Sequence, residues 1–567
     1  MNVSPPSGTG MSPTGRPEGE SAPKRVSAEG GPVSAPRVDI PRVYNAAQDL
    51  VLRNLAAGRA DKIAYVDDAG TYTFAELGRR VDRCANALRA LGLAQEQRVL
   101  VCLLDTIDFP SVFLGAIKAG IVPVAANTLL TTGDYEYMLR DSRARALVVS
   151  VELLPAFAPL FGKLPHLAHV IVSGGDAGPH VALAARMAAA DATAVVADTT
   201  RDDAAFWLYS SGSTGAPKGT VHVHSSLVST GELFARPILG MREDDVVFSS
   251  AKLFFAYGLG NSLTFPLVTG ATAILMAERP TPAAVFRRLI EHRPTVFCGV
   301  PTLFAAVLAS PDLPRRDQVA MRVCTSAGEA LPADIGRRFT EHFGVEILDG
   351  LGSTEMLHVY LSNRPGDVRY GTTGMPVPGY ELRIVGEDGL PVNAGDVGEL
   401  QISGPTAAMG YWNNREKSRD TFQGHWTRSG DKYSVDADGR YVYAGRSDDM
   451  LKVSGIYVSP IEVEAALITH PAVLEAAVIG RSDGAGLVKP HAYVVLKPGQ
   501  SGSPALAESL QQHVKTQLAP YKYPRSIEFI DDLPKTATGK IQRFKLRARA
   551  GGDTIAATAP GGPRPAT

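Results

Sequence analysis

The residues best suited to chemistry are gathered in Tyr209-Ser-Ser-Gly-Ser-Thr-Gly-Ala-Pro-Lys-Gly219, directly after the apolar run Phe206-Trp-Leu-Tyr209. Glycine lets a backbone fold tightly around an anion. Ser211, Ser213 and Thr214 offer hydroxyl donors, exposed N–H groups add more, and Lys218 supplies positive charge. Such a loop serves phosphate binding. It is not a Walker A loop, because Pro217 stands before the lysine where GxxxxGK[ST] has glycine, and Gly219 follows where that loop has Ser or Thr. The bland alternative is a flexible Gly/Ser linker, but a linker does not normally abut a buried strand and end in Pro-Lys-Gly.

Five further stretches hold chemistry-bearing side chains: Ser326-Ala-Gly-Glu329, Asp349-Gly-Leu-Gly-Ser-Thr-Glu355, Trp426-Thr-Arg-Ser-Gly-Asp431, Tyr443-Ala-Gly-Arg-Ser-Asp-Asp-Met-Leu-Lys-Val-Ser-Gly455 and Pro534-Lys-Thr-Ala-Thr-Gly-Lys540. Taken singly, each has an ordinary reading. Asp349 and Asp431 fit turns, Arg446 and Lys540 fit a solvated surface, and Glu355 fits a helix cap as readily as a metal ligand. His222 and His224 alternate along an expected strand without a third metal ligand in view, so His224 is read as lining a substrate site. Gly258-Leu-Gly260 lacks the third glycine of a dinucleotide fingerprint.

Together and in this order, the six stretches resemble the signatures of the adenylate-forming superfamily of acyl–CoA synthetases, luciferases and peptide-synthetase adenylation domains. The resemblance runs from about residue 40 to 550. It implies that a carboxylate attacks the α-phosphate of ATP, giving an acyl-adenylate from which a thiol displaces AMP. It assigns Ser211, Ser213, Thr214 and Lys218 to the β- and γ-phosphates, Thr354 to the α-phosphate and Glu355 to Mg²⁺. Ser326, Ala327, Gly328 and Glu329, with Asp349, Gly350, Leu351, Gly352 and Ser353, flank the adenine. Asp431 takes the ribose hydroxyls with Arg446 assisting, and Lys540 bridges carboxylate and α-phosphate. Asp448 becomes a hinge, and Lys452, Ser454 and Gly455 lie toward CoA.

Phe254-Phe-Ala-Tyr-Gly258, Ser326-Ala-Gly-Glu329 and Met356-Leu-His-Val359 are most similar to the benzoate–CoA ligase family. That implies a small aromatic carboxylate as partner, ATP, Mg²⁺ and coenzyme A as substrates and cofactor, and a place in aromatic acid degradation. Ala256 and Gly328 leave a slot that Tyr257, His358 and Val359 flank. On pattern alone FFAYG also fits an ordinary core. One ring substituent shifts preference by only about 1–3 kcal/mol, so 4-hydroxybenzoate and other substituted benzoates stay open beside benzoate. A stand-alone adenylation enzyme that loads a carrier protein is a further alternative. A non-catalytic nucleotide-binding protein fits poorly with intact Lys218, Glu355, Asp431 and Lys540.

These residues need a scaffold. Short Val/Ile/Leu runs alternate with helical patterns from Val99-Leu-Val-Cys-Leu-Leu104 to Arg322-Val-Cys-Thr-Ser-Ala327, which predicts mixed α/β layers. From about 380, Glu-Leu-Arg-Ile-Val, Gly-Glu-Leu-Gln-Ile-Ser and Gly-Arg-Tyr-Val-Tyr-Ala-Gly leave no room for helices and predict an antiparallel β unit. After Arg446 a hairpin, a helix from Pro460, two strands, a helix near 505–518 and a last strand predict a small α+β domain. The expected division is a disordered extension over 1–38, an adenylation domain over 39–447, a mobile C-terminal domain over 448–550 and a disordered tail over 551–567. Both tails are rich in Gly, Pro and small polar residues and poor in aromatics.

At 567 residues the chain exceeds the roughly 250–300 at which a single core stops growing. A net charge of −1 leaves no global basic field for nucleic acid or an anionic membrane. No apolar run reaches the roughly 18 residues of a membrane span, and the first residues lack the apolar stretch of a secretory signal. Cys84, Cys102, Cys298 and Cys324 are scattered, which points to reduced, buried thiols and a cytoplasmic protein. A homodimer is compatible with this sequence.

Overall fold

The computed structural model describes residues 36–210, 216–447, 449–453, 456–482, 488–519, 522–535 and 541–550. Two large sheets form its body, and each is parallel through the middle with helices packed on it. In the eight-stranded sheet, Val122–Ala125, Arg98–Cys102, Ala146–Ser150 and His169–Ser173 run parallel. Strands buried along their whole length, such as Ala146–Ser150, carry unbroken apolar runs, as the sequence predicts for sheets covered on both faces.

At the other edge of this sheet, Ala204–Ser210 pairs in parallel with Val122–Ala125 and antiparallel with Lys218–Val223. Ser210 lies opposite Lys218 in this antiparallel pair. A short strand from far along the chain, Gly410–Tyr411, then adds to Lys218–Val223.

The nine-stranded sheet holds Val246–Ser249, Val296–Gly299, Val323–Ser326 and Ile347–Gly352 in parallel order. Ile347–Gly352 turns back on Val359–Ser362 as an antiparallel pair. A Cβ on Gly352 would lie 2.7 Å from the His358 carbonyl oxygen, so glycine is required for this close return. The predicted antiparallel unit is a five-stranded sheet containing Glu381–Val385, Gly398–Ser403, Trp426–Val435 and Tyr441–Arg446.

The C-terminal domain has its own architecture: the hairpin Leu451–Val453 with Ile456–Val458, helices Pro460–Ile468 and Pro504–Gln517, and a three-stranded sheet of Val473–Ser482, Val488–Leu496 and Ser526–Phe529. Two hydrophobic clusters here contain only residues after 450, which makes this a second core rather than an extension of the first. Several of its ion pairs tie the start of the domain to its last helix, Arg543–Arg549. Arg543 donates to both Glu464 oxygens at 2.8 Å and lies 3.6 Å from Asp449, which also pairs with Arg547.

Val38, at the expected end of the N-terminal extension, packs against the core cluster that contains Tyr360 and Tyr380. The rest of that extension and the tail after 550 lie outside the described residues. Among the described residues no helix is long and apolar enough to cross a membrane. All four cysteines are free and buried.

Candidate active site

The two large sheets meet at Glu355. Its carboxylate Oε1 accepts hydrogen bonds from Ser210 Oγ at 3.1 Å and from the Tyr411 hydroxyl at 2.8 Å. Glu355 caps no helix. It sits in a tight turn after Ile347–Gly352, in which the Leu357 N–H donates to the Thr354 carbonyl and Leu357 adopts a φ of 65°. The segment before Tyr411 is stitched to the same turn, with Ala408 N–H donating to the Glu355 carbonyl and Thr406 Oγ1 to that of Met356.

Lys218 Nζ lies 4.9 Å from the centroid of the Tyr411 ring. Partial burial pulls its pKa down, opposed by the charge of Glu355, while Lys417 and Arg446 push it lower still. A cation that is partly desolvated and surrounded by further positive charge is what an incoming polyphosphate would relieve.

The two histidines of the 220s part ways. His222 ends within the strand, and its Nε2 donates to the Thr354 carbonyl at 2.8 Å. His224 instead opens the helix His224–Thr230 and accepts from the Ala46 N–H through Nδ1 at 3.1 Å. The expected alternation along one strand therefore breaks after Val223. It is His222, not His224, that reaches the Thr354–Val359 turn. Burial depresses both imidazoles to about 4, so both are neutral at physiological pH.

Asp431 and Arg446 are cross-strand partners, with Arg446 Nη1 3.1 Å from Asp431 Oδ1. Asp349 is not in a turn. It lies in its strand opposite Ser326, where burial pushes its carboxyl up to about 8. Gly350 pairs with Ser362, Leu351 with Leu361 and Gly352 with Val359, while Ser353 Oγ accepts from the Met356 N–H. The chain leaves its strand after Ser326 and passes through Ala327 to Gly328, whose φ is +94° and where a Cβ would meet nothing within 4 Å. Glu329 follows in the same loop.

His358 anchors the aromatic side. Its ring packs against Phe265 at 4.5 Å and against Phe234 and Tyr257 at 5.6 Å. Nε2 lies 3.3 Å from the Tyr257 carbonyl, and burial holds the imidazole down at about 3. The Tyr257 hydroxyl is 2.5 Å from Thr325 Oγ1, which anchors the far end of the side chain. Ala256 begins the short helix Ala256–Leu259, which continues into a π-helical stretch, Gly260–Thr264. Gly260 faces His358 so closely that a Cβ would lie 2.1 Å from the ring. Val359 is buried against Gly350.

The structure thus joins Lys218, Thr354 and Glu355 at one end and Tyr257, His358 and Val359 at the other, through a single turn. Ser211, Ser213, Thr214, Asp448, Ser454, Gly455 and Lys540 lie outside the described residues. Lys452 is placed only by its backbone, in Leu451–Val453 opposite Tyr457.

Residues 52–412 match the family of AMP-binding enzymes, and residues 462–540 match the AMP-binding enzyme C-terminal domain. The chain belongs to the AMP-binding enzyme family. Over 515 residues it is 66% identical to a benzoate–CoA ligase of Thauera aromatica, covering 90% of this chain and 97% of the relative. It is 50% identical to a 4-hydroxybenzoate–CoA/benzoate–CoA ligase of Rhodopseudomonas palustris, over 92% and 97% of the two chains. A crystal structure of a benzoate CoA ligase from Burkholderia xenovorans LB400 superposes with a TM-score of 0.84 at 59% identity, over 89% of this chain and 100% of that one.

Within this AMP-binding enzyme, sequence reasoning missed Ser210, Tyr411, His222, Phe234 and Gly260. Tyr411 lies between a glycine and a tryptophan with no spacing that marks it, and only the pairing of Gly410–Tyr411 with Lys218–Val223 brings it to the site. Phe234 and Gly260 face His358 through two π-helical stretches, Gly231–Ala235 and Gly260–Thr264, and π turns leave no periodic trace in a sequence.

Proposed function

We propose that the chain is an AMP-forming benzoate–CoA ligase, converting benzoate, ATP and CoA to benzoyl-CoA, AMP and diphosphate through benzoyl-adenylate. The turn Thr354–Val359 carries this reading. Its Glu355 reaches Ser210 and Tyr411 beside Lys218, and its His358 lies among Tyr257, Phe234 and Phe265. A mixed anhydride has a phosphate end and an acyl end, and this turn would serve both.

In the first half-reaction two anions approach each other, so positive charge must stand where the new bond forms. Lys218, with Ser211, Ser213 and Thr214, holds the β- and γ-phosphates, Thr354 the α-phosphate, and Lys540 the developing negative charge. Asp431 accepts from the ribose hydroxyls with Arg446 beside it. The donor set fits Mg²⁺ carried in with ATP. Among the described residues no group of three or more His, Cys, Asp or Glu side chains could cage a metal ion, whereas Glu355 presents one carboxylate beside the phosphate-binding lysine. Mg²⁺ characteristically takes one or two carboxylates together with substrate phosphates, and it would offset phosphate charge there. In the second half-reaction the CoA thiolate attacks the acyl carbon and AMP leaves with the former carboxylate oxygen.

Asp448 serves as the hinge between a large domain over 39–447 and a small one over 448–550. The hairpin Leu451–Val458 then replaces Lys540 at the site, with Gly455 and Ser454 along the pantetheine path and Lys452 near it. Four free, buried thiols support a cytoplasmic location.

A panel of acids tests the reading, assayed with ATP, Mg²⁺ and free CoA for AMP and acyl-CoA. Benzoate should exceed acetate and octanoate in kcat/KM by orders of magnitude, and 4-hydroxybenzoate measures tolerance at the ring. A higher kcat/KM for octanoate than for benzoate, or AMP release without acyl-CoA, would overturn it.

A further inference from the structure

Among the described residues, Tyr411 touches both Lys218 and Glu355. Its ring lies under Lys218 Nζ at 4.9 Å, and its hydroxyl donates to Glu355 Oε1 at 2.8 Å. It is buried and held from several sides. Ser418 Oγ accepts from its N–H at 2.9 Å, Phe422 packs on its ring at 5.4 Å, and Trp412 N–H binds the Gly219 carbonyl next to it. The strand that carries it, Gly410–Tyr411, is two residues long, and its backbone pairs with Thr220 and Val221. So short a strand adds little to a sheet, but it brings one aromatic side chain to the seam where Lys218 of one sheet meets Glu355 of the other.

We propose that Tyr411 is a positioning residue with two separable parts: its ring face sets Lys218 for the triphosphate, and its hydroxyl sets the Glu355 carboxylate for Mg²⁺. The ring face attracts a cation through its quadrupole, and the desolvated lysine gains most from this. The hydroxyl spends its one proton on Oε1, which fixes the carboxylate's rotation and leaves its other oxygen turned away from that bond. The inference rests on the reading of Lys218 as a phosphate ligand and of Glu355 as the Mg²⁺ ligand.

The two parts separate in two variants. Tyr411→Phe keeps the ring and removes the hydroxyl, and Tyr411→Leu removes both. ATP binding to the full-length enzyme is measured by titration calorimetry, once in EDTA and once in Mg²⁺, without any acid or CoA. In Tyr411→Phe, ATP affinity in EDTA should stay within about twofold of wild type, while the tightening produced by Mg²⁺ should fall about tenfold, as for loss of one hydrogen bond to a charged group. Tyr411→Leu should show that loss and also weaken ATP in EDTA by about threefold or more. A merely structural tyrosine would give equal effects with and without Mg²⁺. Equal effects, or a Phe variant identical to wild type in Mg²⁺, overturn the proposal, and the Phe result decides the hydroxyl's part even where the leucine variant is unstable. Lys218→Met and Glu355→Gln are titrated in parallel. If neither weakens ATP or its Mg²⁺ dependence, the reading beneath the proposal fails along with it. If both do and the Tyr411 variants do not, only the assignment of Tyr411 fails.

Discussion

Asp349 shows what the fold demands of a single residue. Its buried carboxyl titrates at about 8 in the folded chain against an ordinary value near 4, and Oδ1 has no hydrogen-bond partner among the described residues. Between those two values the folded state keeps a proton that the unfolded state releases. This contribution to stability is complete below about pH 4 and is lost as pH rises through about 8. Asp349→Asn keeps the shape and removes the titration. Its melting temperature should therefore fall less than that of wild type between pH 5 and pH 9, by a few degrees in a calorimetric scan. An unchanged difference would mean that Asp349 is ionised in the folded protein. Ala256 poses the opposite question, of volume rather than charge. It opens the helix beside Tyr257, and Ala256→Val adds two methyl groups to a packed wall, which typically costs about 1–3 kcal/mol. Ring-substituted benzoates should lose roughly tenfold more kcat/KM than benzoate itself. Uniform loss across the panel would place Ala256 outside the acid pocket. At this scale the sequence was informative wherever residue type matched the chemistry. Lys218 and Glu355 interact electrostatically and Asp431 pairs with Arg446, whereas the expected alternation of His222 and His224 along one strand fails because Val223 ends the strand.

Helices and strands were legible for the reason that usually makes them so: buried strands carry unbroken apolar runs and caps mark helix starts. Pro460 opens its helix behind Ser459, which accepts from the Glu462 N–H. Cross-strand partners were not legible, because the pairing of Gly410–Tyr411 with Thr220 and Val221 depends on the folded sheet and not on local pattern. Nor were the two π-helical stretches, Thr230 Oγ1 just before the first lying 2.9 Å from Thr264 Oγ1 at the end of the second. The second stretch carries a prediction. Gly260→Ala places a methyl group where His358 now lies, so the ring must move. The KM for benzoate should rise about tenfold or more, the order expected from overpacking, with the KM for ATP within about twofold. A matched rise in both would show that the whole Thr354–Val359 turn moved instead.

The whole molecule divides the labour. In the proposed reaction the large domain supplies Lys218, Glu355 and the aromatic group around His358, and the small domain supplies Lys540 and the hairpin Leu451–Val458. Two cores and their motif order were readable from the alternation of apolar runs, because each core has to bury its own surface. The arrangement of the small domain at each proposed step was not, since a local apolar pattern specifies a core and not how two cores dock. Lys540→Ala should lower benzoate-dependent diphosphate release by roughly 10²–10³-fold, as removal of one transition-state donor does. Thioester formation from supplied benzoyl-AMP should largely survive, and equal losses in the two half-reactions would remove the division. Gly455→Leu should show the reverse pattern, with diphosphate released in a single turnover but little benzoyl-CoA formed.

The most direct test of the central claim follows one oxygen atom. If the carboxylate attacks the α-phosphate and CoA then displaces AMP, the bridging oxygen leaves on AMP. Benzoate labelled with ¹⁸O in its carboxylate, turned over with ATP, Mg²⁺ and CoA, should give one ¹⁸O in AMP for each benzoyl-CoA formed and none in diphosphate, read by mass spectrometry. Label in inorganic phosphate together with ADP, or unlabelled AMP, would contradict an adenylate-forming enzyme.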